Sequence, residues 1–364
     1  MSPVIHLVDT SLRDGMNTVG HQFTPEQVAA IAAGLDDSGV RTIEVAHGDG
    51  IGGSSIQFGR AAATDPEYVA AAVGAVDAAS IAVLYVPGIA TLADLQGCLD
   101  AGATTVRVAV HCTEADCAQQ PITWAKERGL PVMTFLMMSH MLPPEKLAEQ
   151  AALLDSYRAD VVYVVDSAGA LVPNTTARRV DALRRRIGAH VGFHAHNNLG
   201  VGVGNALAAV EAGATYIDGS LRGLGAGAGN AQTEVLAAAL TRAGHTIDAD
   251  LFGLLETAEH VVAPMMRRPQ LIDETAVMIG YAGVYSTFFH FAKRASEKYG
   301  VPTKEIIMEL GRRGVIGGQE DMIVDVAAEM AGLLEPDTRA SSSWQETSGQ
   351  GTAAAEVGET ADAR

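Results

Sequence analysis

The sequence predicts an α/β protein: a TIM (β/α)8 barrel followed by a small C-terminal helical domain. Three observations predict it. Eight apolar runs of strand length alternate with helix-like stretches across residues 1–249, the arithmetic of a barrel of about 250 residues. Most runs are apolar almost throughout, as parallel strands covered on both faces must be. Polar residues gather just after the runs, where the loops of a barrel build its active site. A doubly wound open sheet is the rival, and periodicity alone does not separate the two.

The runs are 5–11, 42–46, 81–87, 105–111, 132–138, 161–166, 191–196 and 216–221, each rich in Val, Ile, Leu or aromatic residues. After the first run, Thr24-Pro25-Glu26-Gln27 is a helix start: a Thr cap, Pro in the first turn and Gln at the capping-box position. Val28, Ile31 and Leu35 follow at helical spacing, and Gly39 stops the helix. The later runs are followed by helix-like stretches at 66–78, 91–101, 115–128, 144–156, 175–187, 199–212 and 231–243. Residues 250–335 read as a separate helical domain, with helices at 250–266, 286–299, 303–312 and 321–334. The tail 336–364 is rich in Ser, Thr, Gly, Ala and Glu and reads as disordered.

Composition excludes several classes. The chain has 364 residues, 48% apolar, which is enough to bury a large core. There are 25 Lys and Arg against 43 Asp and Glu, a net charge of −18, which argues against nucleic acid or an anionic membrane as the main partner. Three cysteines make no disulfide framework, and no apolar run is long enough to span a membrane. The N-terminus lacks the basic and apolar regions of a signal peptide, so a cytoplasmic setting is expected.

The first run leads into Arg13-Asp14-Gly15, and the seventh carries His194-Ala195-His196. Strand side chains alternate, so His194 and His196 share a face. With Asp14 they make two imidazoles and one carboxylate, a facial set for an octahedral divalent cation with open positions for substrate and water. The alternative is a pair of polar strand ends with no metal. Arg13 reads either as a rim salt bridge or as a fixed cation for an oxyanion or enolate. Alternation would point Arg13 and Asp14 apart, but Gly15 permits a turn. The glycine-rich stretch 223–229 fits neither a Walker loop nor a dinucleotide fingerprint. Asn230 after it reads as a helix cap, with the metal site as its other role. The Gly/Ser-rich loop 47–55 is a candidate lid. Leu84 and Val86 share a strand face and suit either an alkyl pocket or core packing.

Eight segments carry a family resemblance: DTSLRDG (9–15), IEVAHGDG (43–50), VHCTEAD (110–116), FLMMSHM (135–141), HAHNNLG (194–200), GLGAGAGN (223–230), GYAGVYSTF (280–288) and GGQEDMIVDVA (317–327). Together they resemble the 4-hydroxy-2-oxovalerate (4-hydroxy-2-oxopentanoate) aldolase family. Its superfamily of metal-dependent lyases also holds 3-hydroxy-3-methylglutaryl-CoA lyase and isopropylmalate synthase. The resemblance implies retro-aldol cleavage to pyruvate and acetaldehyde with Mn²⁺, or Mg²⁺ or Co²⁺. It implies Asp14, His194 and His196 as metal ligands, Arg13 as enolate stabiliser and Tyr285 at the substrate. Substrate contacts at Arg13, Asp14, Ser167, His194 and Tyr285 are implied with them. It also implies that the helical domain meets an acylating acetaldehyde dehydrogenase in a hetero-oligomer with two of each chain, to which the aldehyde is channelled.

One position departs from the family. Its base, a His three residues after the metal Asp, is here Asn17, and an amide is no base near neutral pH. Tyr285, His47 or a metal-bound hydroxide is then left to take the proton, or the activity is altered. His21, four residues further on, is not given the role. A Claisen-type synthase of a 2-oxo acid and acetyl-CoA, and a catalytically impaired partner subunit, are the alternative functions.

Overall fold

A computed structural model describes residues 3–286 and 288–334. The expected disordered tail therefore lies outside the described residues. The strands are β1 (His6–Leu12), β2 (Thr42–Val45), β3 (Ser80–Tyr85), β4 (Thr105–His111), β5 (Val132–Met137), β6 (Val161–Asp166), β7 (His190–Ala195) and β8 (Tyr216–Gly219). All pair in parallel in chain order, and β1 pairs with β8 (His6 opposite Tyr216), closing the barrel. The open-sheet rival is thereby excluded.

The helices α1 (Pro25–Asp37), α2 (Asp65–Val73), α3 (Leu92–Asp100), α4 (Gln119–Glu127), α5 (Pro144–Ser156), α6 (Pro173–Arg186), α7 (Gly202–Glu211) and α8 (Thr233–Arg242) follow the strands one by one. The first three start as the local chemistry dictates. Thr24 accepts from the Gln27 amide while Gln27 Oε1 accepts from the Thr24 amide, and Thr64/Glu67 and Thr91/Asp94 repeat the device. Residues of the helices' inner faces, such as Val28, Ile31 and Leu35, pack onto the outward residues of the strands in one continuous core. A smaller cluster fills the barrel itself, with Leu84, Ala109, Met133, Phe135, Val161, Tyr163 and Val165. Leu84 thus takes the packing role, with Val86 partly buried at the cluster's edge.

Beyond the barrel come α9 (Leu251–Glu256), α10 (Glu274–Ala282), α11 (Phe288–Tyr299), α12 (Thr303–Arg313) and α13 (Asp321–Met330). The first of these continues through a π-helical turn, Thr257–Val262. Its Leu254, Ala258 and Val262 belong to the barrel's core, whereas Ile279, Phe288, Ile306, Leu310, Ile323 and Val326 form a second core. The sequence reading has no counterpart of α10. Among the described residues no helix is long and apolar enough to cross a membrane.

Candidate active site

The site sits at the C-terminal ends of β1 and β7. The β1–β2 register shifts between Asp9 and Leu12, an irregularity that re-aims the residues that follow. Asp14 then opens a short 3-10 turn. A Cβ on Gly15 would meet Leu224 Cβ at 2.9 Å, so only glycine lets this turn lie against the loop after β8. The turn overrides the alternation that would have separated Arg13 from Asp14, and Arg13 Nη1 lies 3.3 Å from Asp14 Oδ1.

Three atoms that could hold a metal ion converge. His194 Nε2 and His196 Nε2 lie 3.8 Å and 3.6 Å from Asp14 Oδ2. Asp14 and His194 are buried, and the His196 side chain is 11% exposed. Burial works against the Asp14 charge, but Arg13, both imidazoles and the Asn230 amide hold its carboxyl down at about 2. Burial, the neighbouring His194 and Arg13 push His196 down to about 4, outweighing the pull of Asp14. At neutral pH the site therefore offers a carboxylate and a neutral imidazole lone pair. Together with His194 that is a carboxylate and imidazole donor set that could hold a divalent cation.

Asn230 does not cap a helix. Gln232 precedes α8 as its N-cap residue, and Asn230 Nδ2 donates to Asp14 Oδ2 at 2.6 Å and to Leu224 O at 3.1 Å. Its backbone bridges to His196. The glycine loop therefore fastens Asp14 and His196 at once. Gly225, at φ +153°, would put a Cβ 2.7 Å from Asn230 Nδ2, so its glycine is required there.

The loop after β2 is a pinned wall rather than a lid. His47 Nε2–H donates to Gly59 O at 3.0 Å, and its Nδ1 accepts from the Asp49 amide at 3.1 Å. Asp65 accepts from the His47 and Gly52 amides. His21 stacks on His47 with centroids 3.8 Å apart and accepts from the Gly48 amide at 3.4 Å. Burial and His47 push His21 down to about 4. His21, His47 and Asp49 are close enough to suggest a second metal set. Their ring nitrogens face backbone groups and the rings lie face to face, so the lone pairs are spent on the loop.

Asn17 Nδ2 donates to Asp14 O at 3.1 Å and Oδ1 at 3.2 Å. Ser167, just after β6, accepts from the Met138 amide at 3.0 Å, which leaves its O–H to donate. Tyr285 stands elsewhere on the rim. Burial raises its phenol, and the nearby Cys112 and Glu114 add to the effect. Arg13, Asp14, His194, His196 and Asn17 are thus joined by direct contacts, while Ser167 and Tyr285 reach the rim from other elements.

A residue that the sequence reading does not single out anchors the segment leading to Tyr285. His140 Nε2–H donates to Gly283 O at 3.1 Å, tying the segment after β5 to the C-terminal end of α10. Its Nδ1 is buried with no hydrogen-bond partner among the described residues. Burial first, then the charges of Arg179 and His111, depress its pKa to about 4 against the upward pull of Gly283 O. The unfolded chain then binds more protons between pH 6.5 and 4, so this stability is complete above 6.5 and is lost as pH falls through 4. His140→Gln keeps the donor and removes the titration. In urea unfolding of metal-free protein between pH 6.5 and 4.5, its stability should fall less steeply than wild type, by up to about 1.4 kcal/mol per pH unit. Equal slopes would show that His140 does not titrate there.

The HMGL-like family matches residues 4–261, and the DmpG-like communication domain matches residues 270–332. The chain is 72% identical over 332 residues to 4-hydroxy-2-oxovalerate aldolase 2 of Rhodococcus jostii, covering 91% of this chain and 97% of that one. It is 55% identical over 331 residues to the 4-hydroxy-2-oxovalerate aldolase of Carboxydothermus hydrogenoformans, covering 91% and 98%. Among solved structures, the HMG-CoA lyase of Brucella melitensis superposes with a TM-score of 0.63 at 20% identity over 73% of this chain and all of that one. The carboxyl transferase domain Y628A of Rhizobium etli pyruvate carboxylase with pyruvate gives 0.75 at 16% identity, over 92% and 62%. At such identities these structures speak for the fold alone.

Proposed function

The chain belongs to the 4-hydroxy-2-oxovalerate aldolases, carbon–carbon lyases, and on that footing we propose that it cleaves 4-hydroxy-2-oxopentanoate and its close homologues to pyruvate and a short aldehyde. The observation that carries the reading is the convergence of Asp14, His194 and His196 beside Arg13 at the barrel mouth. Those three residues would hold a divalent cation, Mn²⁺ by preference. When bound, it supplies Lewis-acid polarisation of the 2-oxo group.

Arg13 is the enolate's counter-charge. Burial opposes its ionisation, but Glu44 and Asp14 outweigh that and raise its pKa, so it stays charged. Its Nε–H is committed to Glu44 Oε2 at 2.7 Å, which fixes the plane and leaves the Nη groups toward Asp14 and the cleft. That fixed charge meets the oxygen on which negative charge grows as the C3–C4 bond breaks. The Ser167 hydroxyl is free to donate to the 2-oxo acid. Tyr285, kept protonated by burial, donates rather than accepts at the C4 oxygen. His47 and His21 have their nitrogens engaged in the loop, so neither supplies the missing base.

The communication-domain match supports an acylating aldehyde dehydrogenase as partner; two of each chain, with the aldehyde passed between them, is the assembly we propose. The match also favours the lyase over a Claisen-type synthase. Incubation with 4-hydroxy-2-oxopentanoate should release pyruvate and acetaldehyde in equal amounts with Mn²⁺ and nothing after chelation. Mn²⁺-loaded protein that forms no pyruvate would overturn the reading. Co-expression with such a dehydrogenase should give one peak on size-exclusion chromatography. Separate elution at micromolar concentration would remove the stable complex.

A further inference from the structure

Three charged side chains stand inside otherwise apolar strands: Glu44 in β2, Arg107 in β4 and Asp218 in β8, with Glu44 and Arg107 fully buried and Asp218 2% exposed. Buried ions are costly unless paired, and these are paired in a closed ring. Arg107 Nη1 lies 3.0 Å from Glu44 Oε2, and the same oxygen accepts Arg13 Nε–H at 2.7 Å. On its other side Arg107 Nη2 donates to Asp218 Oδ2 at 2.6 Å, and that oxygen also takes His194 Nδ1 at 2.9 Å. Asp14 closes the circuit, 3.8 Å from His194 Nε2 and 3.3 Å from Arg13 Nη1. The guanidinium lies over the Phe135 ring at 4.2 Å and near Tyr163 at 5.1 Å, which fixes its plane.

We propose that Arg107 is a positioning residue that sets a metal ligand, His194, and the enolate's cation, Arg13, from one buried charge. A carboxylate oxygen only accepts, so Asp218 obliges His194 to carry its proton on Nδ1 and to present the Nε2 lone pair beside Asp14. Glu44 likewise obliges Arg13 to spend Nε–H inward. Arg107 holds both carboxylates at fixed spacing: its planar fork donates to Asp218 through Nη2 and sets the charge at Nη1 3.0 Å from Glu44 Oε2. The roles of His194 and Arg13 rest on the aldolase reading above; the coupling itself is read by binding, without turnover.

Arg107→Lys keeps the charge and loses the fork. Mn²⁺ affinity, by isothermal titration, and oxalate affinity of the Mn²⁺-loaded protein should both fall about 10–100-fold, with the folded circular-dichroism spectrum retained. Oxalate is the probe because it is a planar dianion shaped like the pyruvate enolate. If both affinities stay within about twofold of wild type, Arg107 merely neutralises its neighbours and the proposal falls. A second measurement stands if the lysine variant does not fold. Glu44→Gln and Asp218→Asn keep their shapes, and the two residues are joined on their inner side through Arg107. Their effects on Mn²⁺ affinity should be non-additive by about fivefold or more; additivity within about twofold overturns the coupling. Failure of the aldolase reading shows elsewhere, as wild-type protein that binds Mn²⁺ and oxalate but releases no pyruvate.

Discussion

His196→Ala should abolish Mn²⁺-dependent cleavage while leaving the barrel folded. Losing one of three protein ligands removes several kcal/mol of charge stabilisation, which at about 1.4 kcal/mol per decade is a fall on the order of 10³-fold or more in turnover. The fold should survive for a local reason. His196 lies just past the end of β7, and its contribution to the architecture is a backbone bridge to Asn230 that alanine keeps. His194 is a less clean choice, since its removal also leaves Asp218 short of a partner. Asp14→Ala should be as inactive, but it strips Arg13, Asn17 and Asn230 of a shared acceptor. Full activity and undiminished Mn²⁺ binding in His196→Ala would sink the metal assignment.

Much of the barrel was readable because its strands are covered on both faces. Runs such as 161–166 carry almost nothing polar, and the helix start at Thr24 announces itself through capping chemistry. The helix α10 escaped for the opposite reason. Its sequence ETAVMIGYA is apolar on most sides, so no helical stripe stands out, although Asp273 caps its start and Gly283, at φ +69°, ends it. The same contrast runs through the site. Asp14, His194 and His196 were legible because two histidines at alternate positions on a strand end share a face. The ring behind them was not, because Glu44, Arg107 and Asp218 sit in three separate strands and only barrel closure brings them together. The signal was present all the same. A charge inside an apolar strand run demands a partner of opposite sign, and three such runs each held one. Of the two roles the sequence offers for Asn230, capping is the local one; the partner it takes, Asp14, comes from the far end of the barrel sequence.

Asn17→His should raise the rate of 4-hydroxy-2-oxopentanoate cleavage by about 10²–10⁴-fold, the usual worth of a positioned general base. Asn17 Nδ2 donates to the Asp14 backbone oxygen and carboxylate, and an imidazole Nδ1–H reaches about as far from Cβ as that amide nitrogen does. The ring can therefore keep the anchor on Asp14 and carry Nε2 outward with its lone pair free to accept the C4 hydroxyl proton. The neighbours set the limit. The Asn17 amide and the His21 ring both crowd Gly48, at 2.8 Å and 2.6 Å from where its Cβ would stand, so the new ring has little room to tilt toward the β2 loop. A productive ring should bring a new acidic limb to the pH–rate profile near the ordinary His value of about 6.5. If Asn17→His changes neither rate nor profile while wild type turns over well, Asn17 does not mark a missing base. If both proteins bind Mn²⁺ and neither releases pyruvate, the chain is a partner subunit that keeps the aldolase scaffold without its reaction.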